Sequence, residues 1–403
     1  SILIAKLLEK NQRSILVLCE NLEQAENTYS DLTVFTDHNY IFLWKDSFRK
    51  PFNLSTSDSS KIQSKASVLD ALTDIDQPKI VVTYPEAIAE KIVRQEEFEK
   101  SKFTFRVGEE VDLDFLIELL NTYHFYREDF VYEPGQFSIR GGIIDLFSFA
   151  NDLPIRLELF GRTIESIREF DPLSQLSTKT LVRATVVPNV SEGIQSQDST
   201  HIFDYLGQKP VVCSINLPHA IAYLEKGLEK ASNQDSENYV SDRIFFTLED
   251  ILEQISKTVV LEFSSQTHYR PAVKLKLNQS PQASINKNFN LLIDTFKAYE
   301  KQGYQPLIFS ESTKQIERLE SIFDDLNAGY QLQPIYKSLS EGFIDHDLKI
   351  AAYTEHQIFN RYYLARSGKS VSTSGTITLK ELQDLNPGDF VVHMDHGIGQ
   401  FKG

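Results

Sequence analysis

Apolar and polar positions along the first hundred residues alternate between strand-like and helix-like stretches. Residues 14–19, 40–44 and 79–84 are short runs rich in Ile, Val and Leu and read as buried strands. Between them Asn21 is placed to cap a helix running to about Phe35, and residues 57–72 read as another helix. Pro85 suits the first turn of a third helix, to about Val93. Apolar strands separated by helices predict a parallel α/β sheet. The same pattern returns from about residue 178, with strands at 181–187, 210–215 and 259–263 and a helix at 218–230. The polar residues 278–284 read as a linker. A third stretch follows, with helices at 288–302 and 312–326 and strands at 306–309, around 333 and at 350–353. Residues 367–374, SGKSVSTS, read as a flexible polar connector. There are no internal repeats.

A different period interrupts this order. Residues 112–123 predict a short helix, and residues 133–175 then carry three short strands of alternating character joined by turns. In Ile155-Arg156-Leu157-Glu158-Leu159-Phe160 the alternation puts Ile155, Leu157 and Leu159 on a buried face. Arg156, Glu158 and Phe160 share the other. Phenylalanine beside arginine is the composition of an interface anchor. The alternative is a second small core, shielded by another element and flanked by a surface ion pair. Gly161-Arg162, between Phe160 and Thr163, fits a two-residue hairpin with glycine first. The pair Gly141-Gly142 breaks the alternation of the preceding strand and predicts a bulge.

Composition narrows the class. A 41% apolar fraction with 27 Phe and 17 Tyr in 403 residues is ample for several packed cores. No apolar run approaches the ~20 residues needed to span a bilayer, and no secretory signal opens the chain, so no membrane role is expected. The opening SILIAKLLEK reads as an amphipathic helix lacking its start, and the expectation is a fragment of a longer protein. Cys19 and Cys213 lie in apolar runs and read as small buried hydrophobes, which predicts a reducing, cytoplasmic setting. The net charge of −16, with no dense Lys/Arg stripe, counts against a stand-alone nucleic-acid binder and favours protein partners.

No constellation of catalytic type stands out. The one Gly-Lys-Ser, at Gly368-Lys369-Ser370, has Tyr363 where a phosphate-binding loop needs glycine five residues earlier. His393 and His396 are three apart, so on a strand they face opposite sides and do not share a metal ion. Glu109-Glu110 and Asp324-Asp325 read as solvated carboxylates, and no Ser/His/Asp or Cys/His set is recognisable. The expectation is no catalytic residue, no cofactor site and no metal site.

Two segments carry a family resemblance. Glu133-Pro134-Gly135-Gln136-Phe137, Arg140-Gly141-Gly142-Ile143-Ile144-Asp145, Arg156-Leu157-Glu158-Leu159-Phe160-Gly161, Ile164-Glu165-Ser166-Ile167-Arg168 and Phe170-Asp171-Pro172 resemble, in order, bacterial transcription-repair coupling factors. More distantly they resemble the matching domain of the excinuclease subunit UvrB. Near the end, the run from Gly388-Asp389-Phe390 through His393-Met394-Asp395-His396 to Gln400-Phe401 resembles the first strands of that family's RNA-polymerase-interacting β-barrel.

The resemblance implies a multidomain α/β chain. A degenerate helicase-like parallel α/β domain, residues 1–107 and 176–277, would be interrupted by an inserted small α+β domain at 108–175. A second small α/β domain at 285–366, read as a spacer, precedes a linker at 367–384 and the truncated start of the barrel at 385–403. The implied function is non-catalytic: recruitment of the excision-repair protein UvrA to RNA polymerase stalled at a lesion. Arg140, Arg156, Glu158 and Phe160 are the implied UvrA-binding residues, with Arg162 and Arg168 as weaker candidates whose alternative role is only to solubilise the hairpin. The two arginines would donate forked hydrogen bonds to acidic groups of the partner, Glu158 would orient or answer them, and Phe160 would fill an apolar pocket. ATP, DNA and the polymerase β subunit are implied only for the full-length family, ATP through a C-terminal motor absent here. The alternatives are a UvrB-like, ATP-dependent enzyme handling damaged DNA, or an interaction scaffold for another partner.

Overall fold

Five parallel strands form the first sheet, in the order Val259–Glu262, Val211–Ser214, Ile15–Leu18, Ile80–Thr83, Ile41–Leu43. The structure, a computed structural model, describes all residues except 54–57, 74–76, 190–198, 235–239, 284, 362, 364–389, 394–396 and 401–403. Every residue of Ile15–Leu18 is buried, which is what an uninterrupted aliphatic run on a central parallel strand requires. Asn21 caps the helix Leu22–Phe35 as expected, its side chain accepting from Gln24 N at 2.9 Å. Strands 211–214 and 259–262, some two hundred residues downstream, complete the sheet that the first eighty residues begin.

Between those halves the chain leaves and returns through an antiparallel ribbon, in which Phe103–Arg106 pairs with Arg183–Val186. Beyond the ribbon lies a six-stranded sheet ordered Ser177–Leu181, Thr163–Phe170, Ile155–Phe160, Ile143–Leu146, Gln136–Arg140, Tyr126–Arg127. All neighbours are antiparallel except the last two strands. The helix Leu113–Thr122, capped by Asp112, turns Leu116 and Leu120 inward, where they share one core with Phe137, Ile144, Leu157, Ile164 and Ile167.

Three local expectations need correction. Gly141-Gly142 is not a bulge but the two-residue turn of a hairpin, since Arg140 pairs with Ile143 across it. Gly141 takes φ +60°, and a Cβ on Gly142 would lie 2.9 Å from the Leu159 carbonyl oxygen, so both positions suit glycine. The irregularities of register fall instead on Thr163–Phe170, between Ile164 and Ser166 and between Glu169 and Phe170. The helix from Pro85 ends at Ala89, and Ile92–Val93 is a strand. Glu90 stops it by turning into the core, where it takes the buried Lys65 ammonium and accepts from Ser47 N and Oγ at 2.7 and 2.8 Å. Finally, part of the supposed linker at 278–284 is the edge strand Gln279–Pro281 of the next sheet.

That sheet is ordered Gln279–Pro281, Phe343–Asp345, Ile350–Thr354, Gln305–Phe309, Pro334–Ile335. Helices Phe289–Lys301 and Thr313–Asp325 close its core with Leu292, Phe296, Ile308, Phe323 and Tyr353. Side-chain contacts fasten it to the parallel-sheet layer. The Asp31 carboxylate accepts from Ser340 N and Oγ at 2.7 and 2.9 Å, and Ser30 Oγ meets the Tyr363 hydroxyl at 2.7 Å. Phe35 packs on the cluster of Phe309, Leu339 and Ala352 beside them.

In the C-terminal unit, Phe390–His393 and Gly397–Gln400 pair as antiparallel strands. The connector 367–374, the Gly368-Lys369-Ser370 tripeptide and His396 lie outside the described residues. Cys19 and Cys213 are buried free thiols, and burial pushes each up to about 12. Among the described residues no helix is long and apolar enough to cross a membrane.

Candidate partner-binding site

Asp145 organises the face that carries the candidate residues. It is 0% exposed, on the strand Ile143–Leu146, where alternation points it away from the main core flanked by Ile144 and Leu146. Antiparallel register sets it opposite Arg156. Arg156 closes a fork on it, Nε to Oδ1 at 2.6 Å and Nη2 to Oδ2 at 2.9 Å. Arg140 Nη2 donates to the same Oδ2 at 2.5 Å. A buried carboxylate needs such compensation, and two guanidinium groups supply it.

Both arginines are held further by their surroundings. The Arg156 guanidinium lies 4.4 Å above the Phe170 ring and donates to the Gln175 carbonyl and side-chain oxygens, each at 3.3 Å. Its hydrogen bond to Asp145 raises its pKa above the ordinary value. Arg140 sits 4.5 Å above the Phe130 ring and donates to the Asp129 carbonyl at 3.1 Å. Arg156 is largely covered, whereas Arg140 is about a third exposed.

Glu158 does not orient these arginines. It stands two pairs along the ladder from Arg156, opposite Ile143, and accepts from Arg168 Nη2 at 2.8 Å and Ser166 Oγ at 2.7 Å. Arg168 is the direct cross-strand neighbour of Arg156. Two guanidinium groups side by side repel, so Arg168 leans diagonally to Glu158. Arg162, in the hairpin turn, pairs with Asp112 at 2.8 Å in the open and is worth little there.

The face is therefore divided. At the Arg156 end it is roofed, since Val131, Phe147 and Phe170 make a small buried cluster. Gln175 Nε2 ties the two covering loops by donating to the Val131 and Pro172 carbonyls at 3.3 and 2.7 Å. At the other end Phe160 is 81% exposed. The strand thus has a second small core at one end and an uncovered aromatic at the other. About four residues of strand, roughly 13 Å, separate Arg156 from Phe160.

Asp145, Gln175 and the Phe130 and Phe170 rings beneath the arginines carry no such pattern in the sequence. The one signal in the chain was an aspartate in the apolar run Ile143-Ile144-Asp145-Leu146-Phe147, where only a buried partner justifies a charge. Among the described residues no group of three or more His, Cys, Asp or Glu is placed to hold a metal ion. The face thus presents an exposed aromatic and a partly exposed arginine beside a fixed carboxylate–guanidinium cluster.

Comparison with known proteins places this face in context. Residues 103–191 match the family model described as the UvrB interaction domain, and residues 385–403 match that of the CarD-like/TRCF RID domain. The whole chain is 22% identical to the transcription-repair-coupling factor of Staphylococcus aureus (strain MRSA252) over 478 residues, and 22% identical to that of Staphylococcus haemolyticus (strain JCSC1435) over 480. It spans 41% of the length of each. The resemblance read from the segments at 133–172 and 388–401 is thereby borne out along the entire chain.

Proposed function

We propose that this chain, similar throughout to transcription-repair-coupling factors, is a recruitment arm that docks UvrA through the six-stranded sheet of its inserted region. The observation that carries the reading is Phe160, an aromatic 81% exposed on a rigid strand inside the region matched by the UvrB interaction domain. Anchors of this type dominate interface energetics when they enter a pocket. In this reading Phe160 is the apolar anchor, Arg140 and Arg168 offer the reachable guanidinium groups, and Glu158 and Asp145 hold them in place. Arg156 acts chiefly as the tie that keeps the face rigid, so forked donation to the partner falls to Arg140.

The segment at 385–403 matching the CarD-like/TRCF RID domain supports RNA polymerase as the second partner of the whole protein. ATP turnover and movement on DNA belong, in this proposal, to parts of the relatives that the chain does not span. Calorimetric titration with UvrA tests the reading, comparing the parent with Phe160→Ala. Binding by the parent that the variant loses supports it; a parent that fails to bind refutes it.

A further inference from the structure

The connection between the two α/β layers carries a surface of its own. Residues 270–279 are exposed without exception, and 274–278 belong to no helix, strand or turn. Within them Val273, Leu275 and Leu277 are 76, 83 and 54% exposed and alternate with Lys274 and Lys276. That is the period-two pattern of a strand with one apolar and one cationic face. No backbone or side-chain hydrogen bond and no ion pair engages residues 271–277.

The reason lies in the neighbouring sheet. Residues 274–278 lead directly into the edge strand Gln279–Pro281, whose ladder with Phe343–Asp345 ends where His346 N donates to the Asn278 carbonyl at 2.9 Å. Beyond that point the partner chain turns through residues 346–349. The segment is a strand in sequence that its own sheet does not reach. Its charge is also local: residues 263–293 contain no Asp or Glu but hold Arg270, Lys274, Lys276 and Lys287, in a chain of net charge −16.

We infer that residues 273–277 are a docking strand that pairs with a protein strand of alternating acidic and apolar residues. Strand addition satisfies the free backbone groups, buries the aliphatic row and sets carboxylates opposite Lys274 and Lys276. A second copy of this chain is a poor occupant, because antiparallel pairing about Leu275 would set Lys274 against Lys276. Single-stranded nucleic acid is disfavoured too, since the row is aliphatic and offers bases no aromatic platform.

Fluorescence anisotropy with labelled heptapeptides tests this on the whole chain. One peptide alternates Val with Glu, a second alternates Val with Lys, and a thymidine oligonucleotide is the third probe. The Glu peptide is expected to bind, and Lys274→Glu with Lys276→Glu is expected to weaken it by about tenfold and confer binding of the Lys peptide. Leu275→Ser is expected to abolish binding of the Glu peptide with the melting temperature unchanged. Failure of the Glu peptide to bind, indifference to the charge reversal, or oligonucleotide binding that depends on the same two lysines would each overturn the inference.

Discussion

Arg156 and Asp145 face each other across adjacent strands and form a two-pronged ion pair, at 2.6 and 2.9 Å, on a carboxylate with no exposure to solvent. The arginine that looks like a recognition residue in sequence is mostly committed to its own fold. Removing it leaves a buried carboxylate served by Arg140 alone.

Arg156→Ala is therefore expected to destabilise the chain by about 3 kcal/mol, the low end for breaking a buried pair because Arg140 remains. Chemical denaturation reads the loss. The double variant Asp145→Asn, Arg156→Ala is expected to recover part of it, because no uncompensated charge is then left inside. Equal stability of both variants would mean that the pair is not coupled.

Phe160→Ala is expected to behave in the opposite way. An 81% exposed ring contributes little to the fold, so the melting temperature holds, while affinity for UvrA falls by about 2 kcal/mol, roughly thirtyfold. Calorimetry and differential scanning of one preparation separate the two effects.

Gly142→Ala tests the corrected hairpin. Its Cβ would stand 2.9 Å from the Leu159 oxygen, which is backbone and cannot swing aside. A destabilisation of roughly 1–3 kcal/mol is expected, measured by urea unfolding. No change would point to an open bulge.

His201 predicts an acid limb of stability. It is buried against Phe246 with ring centroids 3.3 Å apart, its Nδ1 lacks a hydrogen-bond partner, and burial lowers its pKa from 6.5 to about 4. The folded state thus keeps the ring neutral while the unfolded chain takes up a proton below 6.5, so stability falls as pH drops from 6.5 towards 4. The loss is at most about 3 kcal/mol. His201→Phe is expected to flatten that part of the curve relative to the parent.

The joint between the two α/β layers is open to the same kind of test. Burial raises the pKa of Asp31, and the hydrogen bonds from Ser340 oppose that shift. Asp31→Ala removes the acceptor of two hydrogen bonds across the joint. Thermal unfolding is expected to separate into two transitions in this variant. A single transition identical to the parent's would place the coupling in the Ser30–Tyr363 hydrogen bond and the Phe35 contact instead.

Local chemistry in the chain was sufficient for the elements themselves. The Asn21 cap, the aliphatic run Ile15–Leu18 and the alternation of Ile155–Phe160 are short-range patterns, and each appears where the residues put it. The ordered motif from Glu133 to Pro172 was enough to show the resemblance to transcription-repair coupling factors, and it contains the strand bearing Phe160. What the chain could not disclose was which charge meets which. Asp145, Arg156, Arg168 and Glu158 come from three strands, and only the register decides that Asp145 receives Arg156 while Glu158 receives Arg168. The helix ending at Ala89 and the strand at Gln279–Pro281 depended likewise on partners far along the chain, Lys65 in one case and Phe343–Asp345 in the other. Periodicity is a property of neighbours in sequence, whereas ion pairs and sheet edges are properties of neighbours in space, and folding alone brings those together.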